Sequence, residues 1–96
     1  MSKVMAHEEI AVNSVVKSLT QSVYAPVSGN QASYAIVHAE GGSMRYFVNG
    51  QSPTPASGIL LEEGDVVELP SIYHIKDFRI VMAGTITGKI TVTYEN

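Results

Sequence analysis

Lys89-Ile90-Thr91-Val92-Thr93-Tyr94-Glu95 carries the clearest pattern in the chain. Successive side chains of an extended strand point to opposite sides. Ile90, Val92 and Tyr94 therefore share one face, and Lys89, Thr91, Thr93 and Glu95 the other. One apolar and one polar face describe a strand lying on a core with water above it. The same period of two recurs upstream. Phe78, Ile80 and Met82 alternate with Arg79, Val81 and Ala83. Tyr34 to Glu40 puts the bulky Tyr34 and Ile36 on one side, with His38 after them. Ser43 to Val48 reads Ser-Met-Arg-Tyr-Phe-Val, and Ile10, Val12 and Val16 alternate with Ala11, Asn13 and Val15. Leu19 to Val23 and Val66 to Leu69 are shorter runs of the same kind.

Gly, Pro, Asn and Ser separate these runs. Gly41-Gly42 is a two-residue link of the sort that closes tight hairpins, and Gly84-Thr-Ile-Thr-Gly88 reads as another hairpin turn. Tyr24 to Asn30 forms a loop through Pro26. Asn49 to Gly58 forms a longer one, whose Pro53 and Pro55 deny donors to any central ladder. Glu62-Glu63-Gly64-Asp65 makes a charged turn. The first dozen residues and Ser71 to Asp77 are the helix candidates, and neither has a periodic apolar face. The pattern predicts an all-β domain of about seven or eight short strands: an antiparallel β-sandwich, jelly-roll-like or immunoglobulin-like, or a small barrel. Residues 10–96 form this single domain, preceded by a flexible or docking arm over residues 1–9.

Composition agrees. Twelve Val and eight Ile against four Leu, with six Thr and five Tyr, favour pleated sheet over a helical bundle. A chain of 96 residues folds to roughly 5,400 Å² of surface from about 15,000 Å² unfolded, enough for one modest core. With no cysteine there is no disulfide framework and no thiolate metal site. Six Lys plus Arg against nine Asp plus Glu give a net charge of −3, and the cations are scattered rather than striped, which argues against nucleic acid as a partner. Charged residues make up only 16% of the chain and apolar ones 45%. That balance suits a surface partly hidden against another subunit. No apolar run approaches the roughly 18 residues of a membrane span, and no targeting segment is visible, so assembly in a cytoplasm is expected.

Catalytic and metal chemistry find little purchase. Gly84 to Ile90 resembles a phosphate loop only faintly: it is one residue short, Ile90 stands where a hydroxyl should be, and a strand follows instead of a helix. His7, His38 and His74 have no ligand spacing. The acids Glu62, Glu63 and Asp65 share a turn and point apart, unlike a glycosidase pair. Ser and Thr are plentiful, but no Gly-x-Ser-x-Gly elbow frames them. The expectation is a non-enzyme with no cofactor and no metal.

The segment Arg45-Tyr46-Phe-Val-Asn49-Gly50-Gln-Ser-Pro53-Thr54, with Gly58 and Gly64-Asp65 after it, is the most informative stretch. Together with Phe78-Arg79-Ile80 and Val92-Thr93-Tyr94 it resembles small β-sandwich proteins of tailed-bacteriophage structural gene clusters, over roughly Ile10 to Tyr94. The resemblance implies a virion component without enzymatic activity: a capsid-decoration, head-fibre or tail-associated protein. Such a protein is homo-oligomeric, trimers included, and binds a major capsid or tail protein. Asn49 stands where that pattern more often has Asp, which leaves the turn intact because both tolerate positive φ. The same phrase also resembles accessory β-sandwich domains of chitin- and hexosamine-processing enzymes. That similarity implies the alternative of a carbohydrate-binding module for a host-surface glycan, with tyrosines as stacking platforms. From the residues alone, Gly50 supplies φ for the turn, Pro53 stiffens the loop, Thr54 bonds back to local backbone, and Arg45 braces the loop or faces a partner. Arg45, Tyr46, Asn49, Gly50, Pro53 and Thr54 are thus the candidate interaction or loop motif.

Overall fold

Eight strands and two short helices are present in the computed structural model, which describes residues 4–26, 31–84 and 86–96. In chain order they are β1 (Val4–Val12), β2 (Lys17–Ser18), α1 (Gln21–Tyr24), β3 (Tyr34–Glu40), β4 (Met44–Phe47), β5 (Ile59–Leu61), β6 (Val66–Leu69), α2 (Ile72–Asp77), β7 (Arg79–Met82) and β8 (Gly88–Glu95). β1 pairs with β8, β2 with β7, β3 with β6 and β4 with β5, all antiparallel. These four ladders are one long hairpin folded at the loop after β4. Rolling it up brings β3 beside β8 and β4 beside β7. The result is two four-stranded sheets, ordered β1-β8-β3-β6 and β2-β7-β4-β5, which is the jelly-roll form of the expected sandwich. Among the described residues no ladder joins the two sheets, so the barrel alternative does not form.

This topology corrects two readings. Gly41-Gly42 does not close a hairpin, because β3 lies between β8 and β6 while β4 belongs to the other sheet. The link from Gly84 to Gly88 likewise carries the chain from β7 across to β8; Thr85 within it lies outside the described residues. Gly41 and Gly88 serve a close approach. A Cβ on Gly41 would come within 2.8 Å of the Gly88 Cα, and one on Gly88 within 2.5 Å of the Glu40 carbonyl oxygen. The two crossovers pass each other backbone to backbone, a spacing that only a missing side chain allows.

The core shows why the last strand is so regular. Tyr94 is fully buried and stands in register between Ala6 and Ala35, two small residues that leave room for its ring. Val92 sits beside Val37, and Ile90 lies between Ile10 and Ala39. Met44, Tyr46, Leu61, Ile80 and Met82 line the facing sheet. Each such side chain contributes about 1.5–3 kcal/mol through burial. In β3 the inward residues are Ala35, Val37 and Ala39. Tyr34 and Ile36 face outward with an exposed His38, whereas part-burial is the common expectation for such a histidine.

Of the helix candidates, only the second forms. Ser71 caps α2 by accepting from the His74 N–H, and its hydroxyl also meets His74 Nδ1 at 2.8 Å. Arg79 Nη1 donates to the Lys76 and Phe78 carbonyls at the far end, supplying donors to groups a helix terminus leaves open. Ile75 on its inner side and the following Phe78 are fully buried. The first dozen residues are instead largely strand. Of the arm expected over residues 1–9, the described part, Val4 to Glu9, pairs along β8, and residues 1–3 lie outside the described residues. Residues 27–30 of the predicted Tyr24–Asn30 loop are also outside them, and α1 occupies the run read as extended from Leu19 to Val23.

Candidate functional site

The predicted motif occupies the end of β4 and the loop to β5. Alternation along β4 sends Tyr46 inward, against Phe78 with ring centroids 5.6 Å apart, and Arg45 outward. Burial pushes the Tyr46 hydroxyl's pKa above its ordinary value. Arg45 lies in an outer row between Val81 and Leu60. Val81 is only 1% exposed yet stands outside the inter-sheet core cluster, so this face of the sheet is dry around the arginine stem. Arg45 Nη1 donates to the Gly58 carbonyl at 3.2 Å, and its Nε is buried without a partner among the described residues. The guanidinium therefore braces the returning arm of the loop.

The remaining motif residues are bound within the loop or to the end of α2. Asn49 Oδ1 accepts from the Gln51 N–H at 3.2 Å, a side-chain-closed turn. Gly50, at φ +83°, donates its N–H to the Asp77 carbonyl at 3.0 Å and ties the loop to the end of α2. Pro53 is buried, and a Cβ on Gly58 would meet its Cβ at 3.2 Å. Thr54 and Ser57 exchange two backbone hydrogen bonds, and Thr54 Oγ1 accepts from the Ala56 N–H at 3.3 Å. Asn49, Gly50, Pro53 and Thr54 thus lie in a pinned loop that Arg45 reaches through Gly58, while Tyr46 points away from it into the core. Pro55, Ala56 and Ser57 are exposed at its tip.

The charged turn between β5 and β6 also bonds inward. Glu62 accepts from the Ser43 hydroxyl and Glu63 from the Gly41 N–H. Asp65 accepts from the Glu62 N–H, while the Gly64 N–H donates to the Ala39 carbonyl. This turn clasps the crossover from β3 to β4. Among the described residues no group of three or more His, Cys, Asp or Glu converges on a metal position.

Tyrosines divide sharply by environment. Tyr94 and Tyr24 are buried and tilted against each other at 6.0 Å. Burial, together with a hydrogen bond to Glu8, pushes the Tyr94 hydroxyl far above its usual pKa. Tyr34, on the outer face, is pushed up to about 12 by its hydrogen bond to Glu68. Tyr73 alone of the five is largely exposed, at 72%. A polar cleft of about 480 Å³ lies between Ser18, Gln21 and Tyr24 on one side and Lys76, Asp77 and Arg79 on the other.

Apolar residues not singled out by sequence are also exposed. Ile59 and Leu60 on β5 are 49% and 46% exposed, and Val66 on β6 is 49% exposed. β5 and β6 are edge strands of the two sheets and follow one another in the chain. Leu60, beside Arg45, stands on the outer face of one sheet, Val66, beside His38, on the outer face of the other, and Ile59, beside Tyr46, on the inner side at the edge. The signal was present in Ile59-Leu60-Leu61: consecutive apolar residues on a strand cannot all face one core. No protein-family model, curated protein or solved structure matches the chain.

Proposed function

We propose that this chain is a non-enzymatic virion accessory protein of the tailed-phage kind, in a decoration, head-fibre or tail-associated role. It self-associates and seats on a capsid or tail surface. The observation that supports this reading is the exposure of apolar side chains along two edge strands, Ile59 and Leu60 on β5 and Val66 on β6, each close to half exposed on a chain of only 96 residues. Apolar side chains exposed on edge strands of a chain with only 16% charged residues support a covered surface there, and jelly rolls are a recurrent architecture of viral shells. Fold alone does not assign function; the low charge and the Arg45 to Thr54 resemblance supply the rest.

Two measurements test it. Light scattering of the purified chain is expected to give a multiple of 10.3 kDa. The chain should also co-sediment with heads or tails of the virus whose genome encodes it, and Leu60→Asp should weaken that association by about tenfold. A monomer that binds neither particle overturns the proposal.

A second reading, a carbohydrate-binding module, is favoured by Tyr73, whose exposed ring can stack on a sugar face. It predicts glycan-array binding that Tyr73→Ala abolishes. An array blank across bacterial surface sugars removes it. Tyr24→Ala is no test of this reading, since Tyr24 is part of the core.

A further inference from the structure

We infer that two copies of this chain join through the outer edges of their β1 strands, antiparallel about a two-fold axis at Glu8. This rests on the self-association proposed above and names its surface.

Each sheet ends in two edge strands. β2, β5 and β6 are two, three and four residues long, whereas β1 runs for nine. Among the described residues the β1 backbone ladder reaches only β8. An unpaired edge is a template for another strand, and proteins usually guard it with shortness, lysine, proline or bulges. β1 contains no lysine and no proline, and its one irregularity lies between Val4 and Ala6, at the strand's start. Its inward-side charge, Glu8, which would otherwise guard the edge, is held by Tyr94 and Thr20 of its own chain.

Charge selects the occupant and the register. A two-fold axis normal to the sheet keeps outer side chains opposite outer ones. Centring it on Glu8 pairs Ala6 with Ile10 and sets His7 against Glu9 of the second copy, twice over. Centring on His7 or Glu9 would set like side chains against each other on the outer face, whereas centring on Glu8 confines the like pair, Glu8 against Glu8, to the inner face. His7 Nδ1 is 3.2 Å from the Thr93 hydroxyl, so Nε2 is the nitrogen that meets the facing carboxylate. Glu9 engages Lys89 through one oxygen at 3.4 Å, leaving the other for the imidazole. The two Glu8 carboxylates nearest the axis are each bound within their own chain, by the Tyr94 hydroxyl and by the Thr20 N–H at 3.2 Å. A continuous eight-stranded sheet results, whose two far edges are the β6 strands that carry Val66.

The cysteine-free chain allows a direct test. Opposed Cβ atoms across a strand pair lie about 4.5–5.5 Å apart, close enough for a disulfide after a small adjustment. His7→Cys and Glu9→Cys variants are each oxidised mildly alone and then as a mixture. The mixture is expected to yield about tenfold more disulfide-linked dimer than either variant alone, because residue 7 faces only residue 9. In parallel, Glu9→Lys should weaken self-association by several-fold, and adding His7→Glu to it should restore the affinity. If light scattering still reports an oligomer but the mixture gives no excess of cross-linking, the β1 edge is overturned while self-association stands. A monomer at all concentrations overturns both.

Discussion

The two ends of β4 are joined to the rest of the molecule by links of opposite character. At one end Gly41-Gly42 carries the chain between sheets and passes the β7–β8 crossover at backbone distance. At the other, the loop from Val48 to Gly58 closes the hairpin between β4 and β5, among the described residues the only pair of strands adjacent in both chain and sheet. The short glycine links look like hairpins and are crossovers; the long, proline-bearing link looks like an excursion and is the hairpin. Glycine does different work at the two ends. Gly41 and Gly88 leave room for another backbone. Gly50 adopts a left-handed turn in open surroundings, where a Cβ would come no nearer than 3.8 Å to the Asp77 carboxylate.

Substitutions probe this contrast in descending order. Gly88→Val drives a side chain into the Glu40 carbonyl oxygen and is expected to cost about 3 kcal/mol, read as a fall in the denaturation midpoint. A loss of only a few tenths would mean that the crossovers do not touch. Gly41→Ala and Gly50→Ala form the sharper pair, since both glycines have similar positive φ, +93° and +83°. The conformational cost is common to the two, about 1 kcal/mol. Only Gly41→Ala adds a steric clash, so it should be the worse by about 1–2 kcal/mol. Equal losses would remove the close approach from the account. Gly84→Ala is the control: a Cβ there meets nothing within 4 Å and φ is not positive. It should be neutral or stabilise by about 0.5 kcal/mol through a less flexible unfolded chain.

Much of the fold was legible where side-chain alternation met a single core. Lys89 to Glu95 reads correctly residue by residue, as do Ile80 and Met82. β3 misleads because bulk is a poor guide to its inner face: Tyr34 and Ile36 are the larger residues, yet Ala35 and Ala39 face inward. Their smallness is a response to Tyr94 and Ile90 on the neighbouring strand, which β3's own sequence does not contain. The candidate motif was legible in its parts, since Asn49, Gly50 and Thr54 announce local turns. That Arg45 would reach Gly58 and Gly50 would reach Asp77 was not, because those partners come from other elements. The run Ile59-Leu60-Leu61 announced that some of it must face outward, but not that β5 and β6 would end their sheets: an apolar residue declares its hydrophobicity but not whether its sheet continues past it.

The sequence by itself determined the period-two strands, where Gly and Pro interrupt them, and that one small all-β core would hold them. These properties are local: they follow from the dihedral preferences of β-branched and aromatic residues and from alternating polarity. Only the tertiary structure decided which strands became neighbours and which links were crossovers. Ladder hydrogen bonds are made by a backbone that is the same at every non-proline residue. The choice of partner therefore falls to packing between distant side chains, Tyr94 between two alanines, and to clearance between distant turns, Gly41 against Gly88.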